Sequence, residues 1–224
     1  MFDQNLIETK ILPLMHEVSK MCKESFLKPQ ILGFKNERQV VNNIDLQVSD
    51  FLINHLQELF PEFGILSEES QKTFIKKDFN WIIDPLDGST NFSRGIPLFC
   101  SQIALEHKGE IIFACVVVPQ EDKLLHAIAG QGVYCNGVLL DKPIKSNLNE
   151  AVFVFDSYLD KDDREVLDLV ADEVNYIPSY NSVGLAFAYL ALGRVNGVLN
   201  FCDRIWDIAP GVLFALELGF CVTD

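Results

Sequence analysis

The chain has 224 residues, of which 49% are hydrophobic, and a formal net charge of −14. That apolar content supports a sizeable core and excludes wholesale disorder. The acidic balance argues against direct binding to nucleic acid or to an anionic membrane, whose phosphates attract basic surfaces. The N-terminus has no basic region backed by a long apolar run and no membrane span is visible, so a cytoplasmic protein is expected. Six cysteines (Cys22, Cys100, Cys115, Cys135, Cys202 and Cys221) form no C-x-x-C pair and lie mostly in apolar runs, which reads as reduced, buried thiols.

Taken in chain order, Leu6, Ile7, Ile11, Leu14, Met15, Val18, Met21, Cys22 and Phe26 recur at helical spacing and predict a helix over 5–27, kinked or late-starting at Pro13. Residues 28–43 are polar and read as a loop with short extended pieces. A second helix over 43–60 places Ile44, Val48, Phe51, Leu52, Leu56 and Leu59 inward and ends at Pro61. A short strand at 65–66 leads into Ser67-Glu68-Glu69-Ser70. Strands at 81–84, 101–106, 111–118, 123–129 and 132–135 predict a meander with turns at Lys108-Gly109, Pro119-Gln120 and Gly130-Gln131, and Asn136-Gly137 is a hairpin turn signal. The polar stretch 137–150 reads as a connection between two lobes. Beyond it, strand and helix alternate: strand 151–155, helix 161–173, extended 175–177, helix 183–192 ending at Gly193, strand 197–201, helix 207–218 and a strand starting at 221. This alternation predicts a sheet covered by helices. The expected lobes are 1–140, α+β, and 141–224, α/β/α.

The most informative stretch is Trp81-Ile82-Ile83-Asp84-Pro85-Leu86-Asp87-Gly88-Ser89-Thr90-Asn91-Phe92. An apolar run delivers two aspartates into a Pro- and Gly-containing turn, and unpaired charges near a core are costly. A hard divalent ion takes such oxygen ligands, including a backbone carbonyl. Gly88 beside Ser89 suits a phosphate held by backbone N–H groups, because the missing side chain permits close approach. The simpler reading is an Asx-rich turn after a strand. Glu68, Asp45 and Asp207 each have a plain reading as well, as a solvated turn or as first-turn acids complementing a helix dipole. Together the acidic clusters, each at a strand end or helix start, predict one multi-metal pocket. His16, His55, His107 and His126 lack metal-ligand spacing and read as structural or surface residues.

These residues resemble the inositol monophosphatase family, metal-dependent sugar and polyol phosphatases related to fructose-1,6-bisphosphatase. Residues 81–92 resemble the signature W-x-x-D-P-[LI]-D-G-T-x-N-F, with Ser89 in place of Thr, and Trp206–Gly211 resembles W-D-x-A-[AP]-G. Glu68-Glu69-Ser70, Val41-Asn42-Asn43-Ile44-Asp45, Gly95-Ile96-Pro97 and Ala191-Leu192-Gly193-Arg194 match further elements in the right order. The resemblance implies a mixed α/β fold, a layered αβαβα sandwich, here with a short C-terminal end at Val222-Thr223-Asp224. It implies that Glu68, Asp84, the Leu86 carbonyl, Asp87 and Asp207 ligate two or three Mg²⁺ ions, with Mn²⁺ as a substitute and Li⁺ inhibitory. It further implies that Ser89, bonded toward Asp45, and Glu68 orient the attacking water, and that Gly88, Ser89 and Thr90 hold phosphate. Asp87, Asp207 and Asn200 would face the substrate hydroxyls. The implied reaction is in-line hydrolysis of a small sugar or polyol phosphate by metal-activated water, without a phosphoenzyme, in a homodimer.

The chain departs from the family pattern at Asn42 (Thr in the family), Ser49 (often Glu), Ala186 (acidic) and Asn200, where the family places an acid that binds inositol hydroxyls. The metal machinery is expected to be intact and the polyol pocket altered. The alternatives are a fructose-1,6-bisphosphatase or a nucleotide or NADP phosphatase of the same superfamily and, from another class, a regulatory partner of the transcription machinery.

Overall fold

The computed structural model describes residues 4–26, 28, 31–36, 39–143, 146–156, 161–201 and 204–223. Its centre is a seven-stranded sheet in the order β3-β4-β5-β6-β7-β8-β9: Gly64–Ser67, Phe79–Asp87, Cys100–His107, Glu110–Val118, Lys123–Ile128, Val133–Cys135 and Val138–Leu139. From β4 onward every pair is antiparallel, as the predicted meander requires, and β3 runs parallel to β4 on the edge. Lys108-Gly109 and Asn136-Gly137 both take positive φ at two successive positions, the backbone that lets a two-residue turn follow the strand twist.

The period-2 alternation of β4–β6 divides the core. Trp81, Ile83, Ile103, Leu105, Phe113, Cys115 and Val117 face one way and pack with Ile11, Met15, Val18, Ile44, Val48 and Leu52. The latter belong to α2 (Leu12–Ser25) and α3 (Asn43–Leu59), except Ile11, which directly precedes α2. Cys100, Ala114, Val116 and Val118 face the other way, onto Leu185 and Ala188 of α6 (Val183–Ala191) and Leu213 and Phe214 of α7 (Ile205–Leu218). The far side of these helices packs against a second, parallel sheet, β10 (Phe153–Asp156) with β11 (Gly197–Asn200), through Val154, Ala186, Leu190 and Ala215. The fold is therefore mixed α/β, with helices on both faces of the main sheet.

Several expectations change in detail. The first helical region opens with α1 (Gln4–Leu6) and a π-turn over Ile7–Ile11, and Pro13, which has no N–H to donate to the preceding turn, sits directly after it at the start of α2. The short extended pieces expected within 28–43 are longer than a loop suggests and pair antiparallel, β1 (Ile31–Asn36) with β2 (Gln39–Asn42). The last helix begins two residues earlier than expected and accommodates Pro210 inside its first two turns. Residues 221–223 form no strand, because no neighbouring strand offers them a ladder. Helix α5 (Lys161–Ala171) leaves Leu169 and Val166 exposed. Cys22, Cys100, Cys115 and Cys135 are buried free thiols, but Cys221 is exposed, against expectation, because its segment lies outside the sheet. Cys202 lies outside the described residues. No described helix is long and apolar enough to cross a membrane.

The contact of α6 with α7 depends on Gly211, where an added Cβ would stand 2.1 Å from the Phe187 ring at Cγ. That atom is the root of the ring, which cannot swing away freely. Gly211→Ala would gain about 1 kcal/mol of helix propensity but overpack by about 1–3 kcal/mol. A net fall in Tm of a few degrees is expected, whereas an unchanged or raised Tm would show that the ring relaxes at no expense.

Candidate metal and phosphate site

Strand β4 continues through Asp84-Pro85-Leu86-Asp87, which the sequence reading had placed in a tight turn. Asp84 pairs with Gln102 and Asp87 with Cys100, so three steps on β4 match two on β5. This is a β-bulge at a proline, which has no N–H to give the ladder. The extra residue decides the site. Two residues three apart on a regular strand point to opposite faces, and the bulge brings Asp84 and Asp87 toward the same one. Gly88 follows with φ 90°, a backbone that favours glycine, and an added Cβ would lie 2.7 Å from the Leu98 carbonyl oxygen. The chain then enters a single helical turn, α4 (Ser89–Ser93).

Parallel pairing gathers the other groups. Ser67 of β3 stands opposite Ile83 of β4, so Glu68 and Asp84, the next residues, lie side by side toward one end of the sheet. Asp156 and Asn200 are register partners at the ends of β10 and β11. Carboxyl ends of parallel strands are where α/β sheets commonly collect ligand groups. Asp207 lies in the first turn of α7, and the Gln102 Nε2 holds that turn by donating to the carbonyls of Trp206 (3.0 Å) and Asp207 (3.1 Å).

The hydrogen bonds fix the chemistry of each acid. Asp45, fully buried, accepts the Asn42 N–H on Oδ2 at 2.7 Å and faces Ser89 Oγ with Oδ1 at 2.8 Å. Ser89 Oγ is also 2.8 Å from the Leu86 carbonyl oxygen, and one hydroxyl proton can serve only one of these acceptors at a time. Asp84, 2% exposed, accepts the Leu86 N–H at 3.1 Å. Asp87 Oδ2 accepts from Ser182 Oγ at 2.8 Å and Gly184 N at 2.6 Å. Asp156 Oδ2 accepts the Ser182 N–H at 2.6 Å. Glu68 lies 3.7 Å from the Arg204 guanidinium.

Charge accumulates here. Burial, then repulsion from Asp207 and Asp156, holds the Asp87 carboxyl well above the usual carboxylate range despite the bonds from Ser182 and Gly184. Burial also pushes Asp156 up to about 7, with Asp207 adding repulsion. These repelling oxygens form a donor set whose chemistry fits a hard divalent cation. Among the described residues, however, no three His, Cys, Asp or Glu side chains already stand in a chelating arrangement. One oxygen of Asp87, Oδ2, is taken by its bonds to Ser182 and Gly184.

Of the predicted site residues, the structure links Asp45, Ser89 and Leu86 directly and brings Asp87 and Asp207 within electrostatic reach. Asn200 sits beside Asp156. The carbonyl of Thr90 accepts from Ser93 Oγ at 2.8 Å and so serves the α4 turn. Sequence reasoning missed Asp156, Ser182 and Gln102. Asp156 carried a usable signal, since it closes an apolar strand as Asp84 does.

The profile of the inositol monophosphatase family matches residues 11–224. The chain belongs to the inositol monophosphatase family. It is 32% identical over 192 residues to a fructose-1,6-bisphosphatase/inositol-1-monophosphatase of Thermotoga maritima, a match covering 86% of this chain and 73% of the relative. It is 31% identical over 196 residues to the Nus factor SuhB of Escherichia coli K12, covering 85% and 73%. Among solved structures, the extragenic suppressor protein suhB of Bartonella henselae superimposes with a TM-score of 0.87 at 28% identity, over 95% of this chain and 85% of that one.

Proposed function

We propose that this member of the family is a Mg²⁺-dependent phosphomonoesterase acting on a small sugar or polyol phosphate. The observation that carries the reading is the Ser89 hydroxyl, held between Asp45 and the Leu86 carbonyl beside the Asp84–Asp87 bulge. Glu68, Asp84, the Leu86 carbonyl, Asp87 and Asp207 would hold the ions. Bound there, magnesium would supply charge neutralisation for the phosphate and a lowered pKa for water.

The chain's own groups account for the rest. Asp45 has one oxygen committed to the Asn42 N–H, so Oδ1 takes the Ser89 proton. The hydroxyl's lone pairs are then free to accept a hydrogen bond from a water molecule and so orient it, and the Leu86 carbonyl keeps its own lone pairs. Gly88, whose missing Cβ makes room for the Leu98 carbonyl and whose φ of 90° suits glycine, sets the turn from which the backbone N–H groups that follow would meet phosphate. Asn200 and Asp156, side by side, would line the substrate end with an amide and a carboxyl.

Phosphate release from sugar, polyol and nucleotide monoesters, with and without Mg²⁺ and with Li⁺ as inhibitor, tests this. The expected result is strictly Mg²⁺-dependent release with a preference for a sugar or polyol ester. Failure to hydrolyse any monoester in Mg²⁺ would remove the reading. The relatives that carry the name Nus factor support a second reading, a regulatory partner of transcription. A cellular phenotype that survives in an inactive Asp84→Asn protein would favour it.

A further inference from the structure

Away from the candidate site, α2 presents His16, Ser19, Lys20 and Lys23 at i, i+3, i+4 and i+7, one face of the helix, into a cavity of about 360 Å³. Lys123, at the start of β7, and Asn136, in the β8–β9 turn, close the other side. Eighteen Lys and Arg are spread over 224 residues, so eight lining residues would carry fewer than one on average; this cavity carries three. Its single lining carboxylate is Asp122, which is paired with Lys23. Lys20 is paired at 3.3 Å with Glu17, a residue outside the lining.

The wall opposite α2 is held by its own hydrogen bonds. Asn136 Oδ1 accepts the Leu124 N–H at 2.8 Å, and Asn136 Nδ2 donates to the Asp122 carbonyl at 2.9 Å. Both Asp122 and Asn136 adopt left-handed backbone. A fixed rim that carries Lys123 therefore faces the Lys20 and Lys23 arms, a hydroxyl and an imidazole. In a chain of net charge −14 such a surface is a local reversal of sign.

We propose that this cavity is a second binding site, for a phosphate-class oxyanion or a small phosphorylated molecule. A phosphate group brings about −1.5 to −2 charges and three acceptor oxygens. It would replace Asp122 on Lys23 and engage Lys20 and Lys123 together. The volume is in the range of small-molecule sites and exceeds what a bare ion needs. The position separates it from the Asp84–Asp87 site. Val118 of β6 pairs with Lys123, Val117 with Ser101, and Cys100 with Asp87, so the two sites share one end of the sheet about 14 Å apart, three strand spacings. The cavity lies on the α2 face, whereas Asp207 approaches from the α7 face. The inference does not rest on the phosphatase reading.

The test uses the full ¹⁵N-labelled chain, metal-free in EDTA, titrated with sodium phosphate against sodium chloride at equal ionic strength. Saturable shifts are expected at the amides of Ser19, Lys20, Lys123 and Asn136, and they should vanish in Lys20→Gln/Lys23→Gln/Lys123→Gln. Asp122→Asn should tighten phosphate binding about two- to fivefold, the worth of one exposed ion pair removed from competition. The proposal is overturned by shifts no larger than those with chloride, by saturation confined to Gly88 and Ser182, by retention in the triple variant, or by an Asp122→Asn protein that binds no more tightly.

Discussion

Asp84→Asn is expected to lower kcat/KM for phosphomonoester hydrolysis by about 10²–10³-fold, the scale of removing one group that stabilises developing charge. The substitution keeps shape and volume. An asparagine Oδ1 can still accept the Leu86 N–H that Asp84 accepts at 3.1 Å, so the bulge keeps its internal bond. What disappears is one negative charge in a place that is 2% exposed. If that charge has no cation to hold, its loss relieves repulsion near Asp87, and metal-free stability rises or stays level. If it holds magnesium, the variant also loses the stabilisation that saturating Mg²⁺ gives the wild type, about 2.7 kcal/mol at a hundredfold excess over Kd. Steady-state kinetics and thermal unfolding with and without Mg²⁺ read both effects. A variant within threefold of wild-type activity, or one with an undiminished Mg²⁺-induced rise in Tm, would remove Asp84 from the proposed ligand set.

The order and type of most elements were legible because each carries its own periodicity. Helices α2 and α3 repeat apolar residues at three and four, and β5 and β6 are bounded by Lys108-Gly109 and Pro119, whose backbone preferences are local. The acids were legible as residue types at strand ends. Their arrangement was not. The sequence Asp84-Pro85-Leu86-Asp87 is equally compatible with a turn and with a bulge, and only the β4–β5 register, set by partners more than ten residues away, selects the bulge. The same holds for Asp156. Its strand was recognised, but its place beside Asn200 comes from parallel pairing across a 44-residue separation, which no local pattern encodes. In 28–43 the sequence indicates only short extended pieces, because Ile31, Leu32, Phe34, Val40 and Val41 follow no strict alternation that would set the pairing of β1 with β2.

The second large effect concerns pH. In the folded protein Asp156 is pushed up to about 7, chiefly by burial, against about 3.9 for an unfolded aspartate. Between these values the folded state keeps a proton that the unfolded state has lost, so stability falls as pH rises. The contribution is fully present below pH of about 4 and is lost by about pH 7; above that it is flat. Asp87, also raised by burial and by its acidic neighbours, acts with the same sign. Other carboxylates act in the opposite sense, so the informative quantity is a difference between two proteins. Asp156→Asn keeps an acceptor for the Ser182 N–H, now 2.6 Å from Oδ2, and cannot ionise. In EDTA the stability of the variant relative to wild type should rise by roughly 2–3 kcal/mol between pH 5 and pH 8, as an upper scale from the linkage relation. Urea unfolding at the two pH values measures this gap. Adding Mg²⁺ at pH 8 should narrow it, since a cation among Asp87, Asp156 and Asp207 offsets the repulsion that the wild type alone carries. A gap that does not change with pH would mean that Asp156 ionises in the folded protein as it does in the unfolded chain, and the picture of a strained, charge-dense pocket would fail with it.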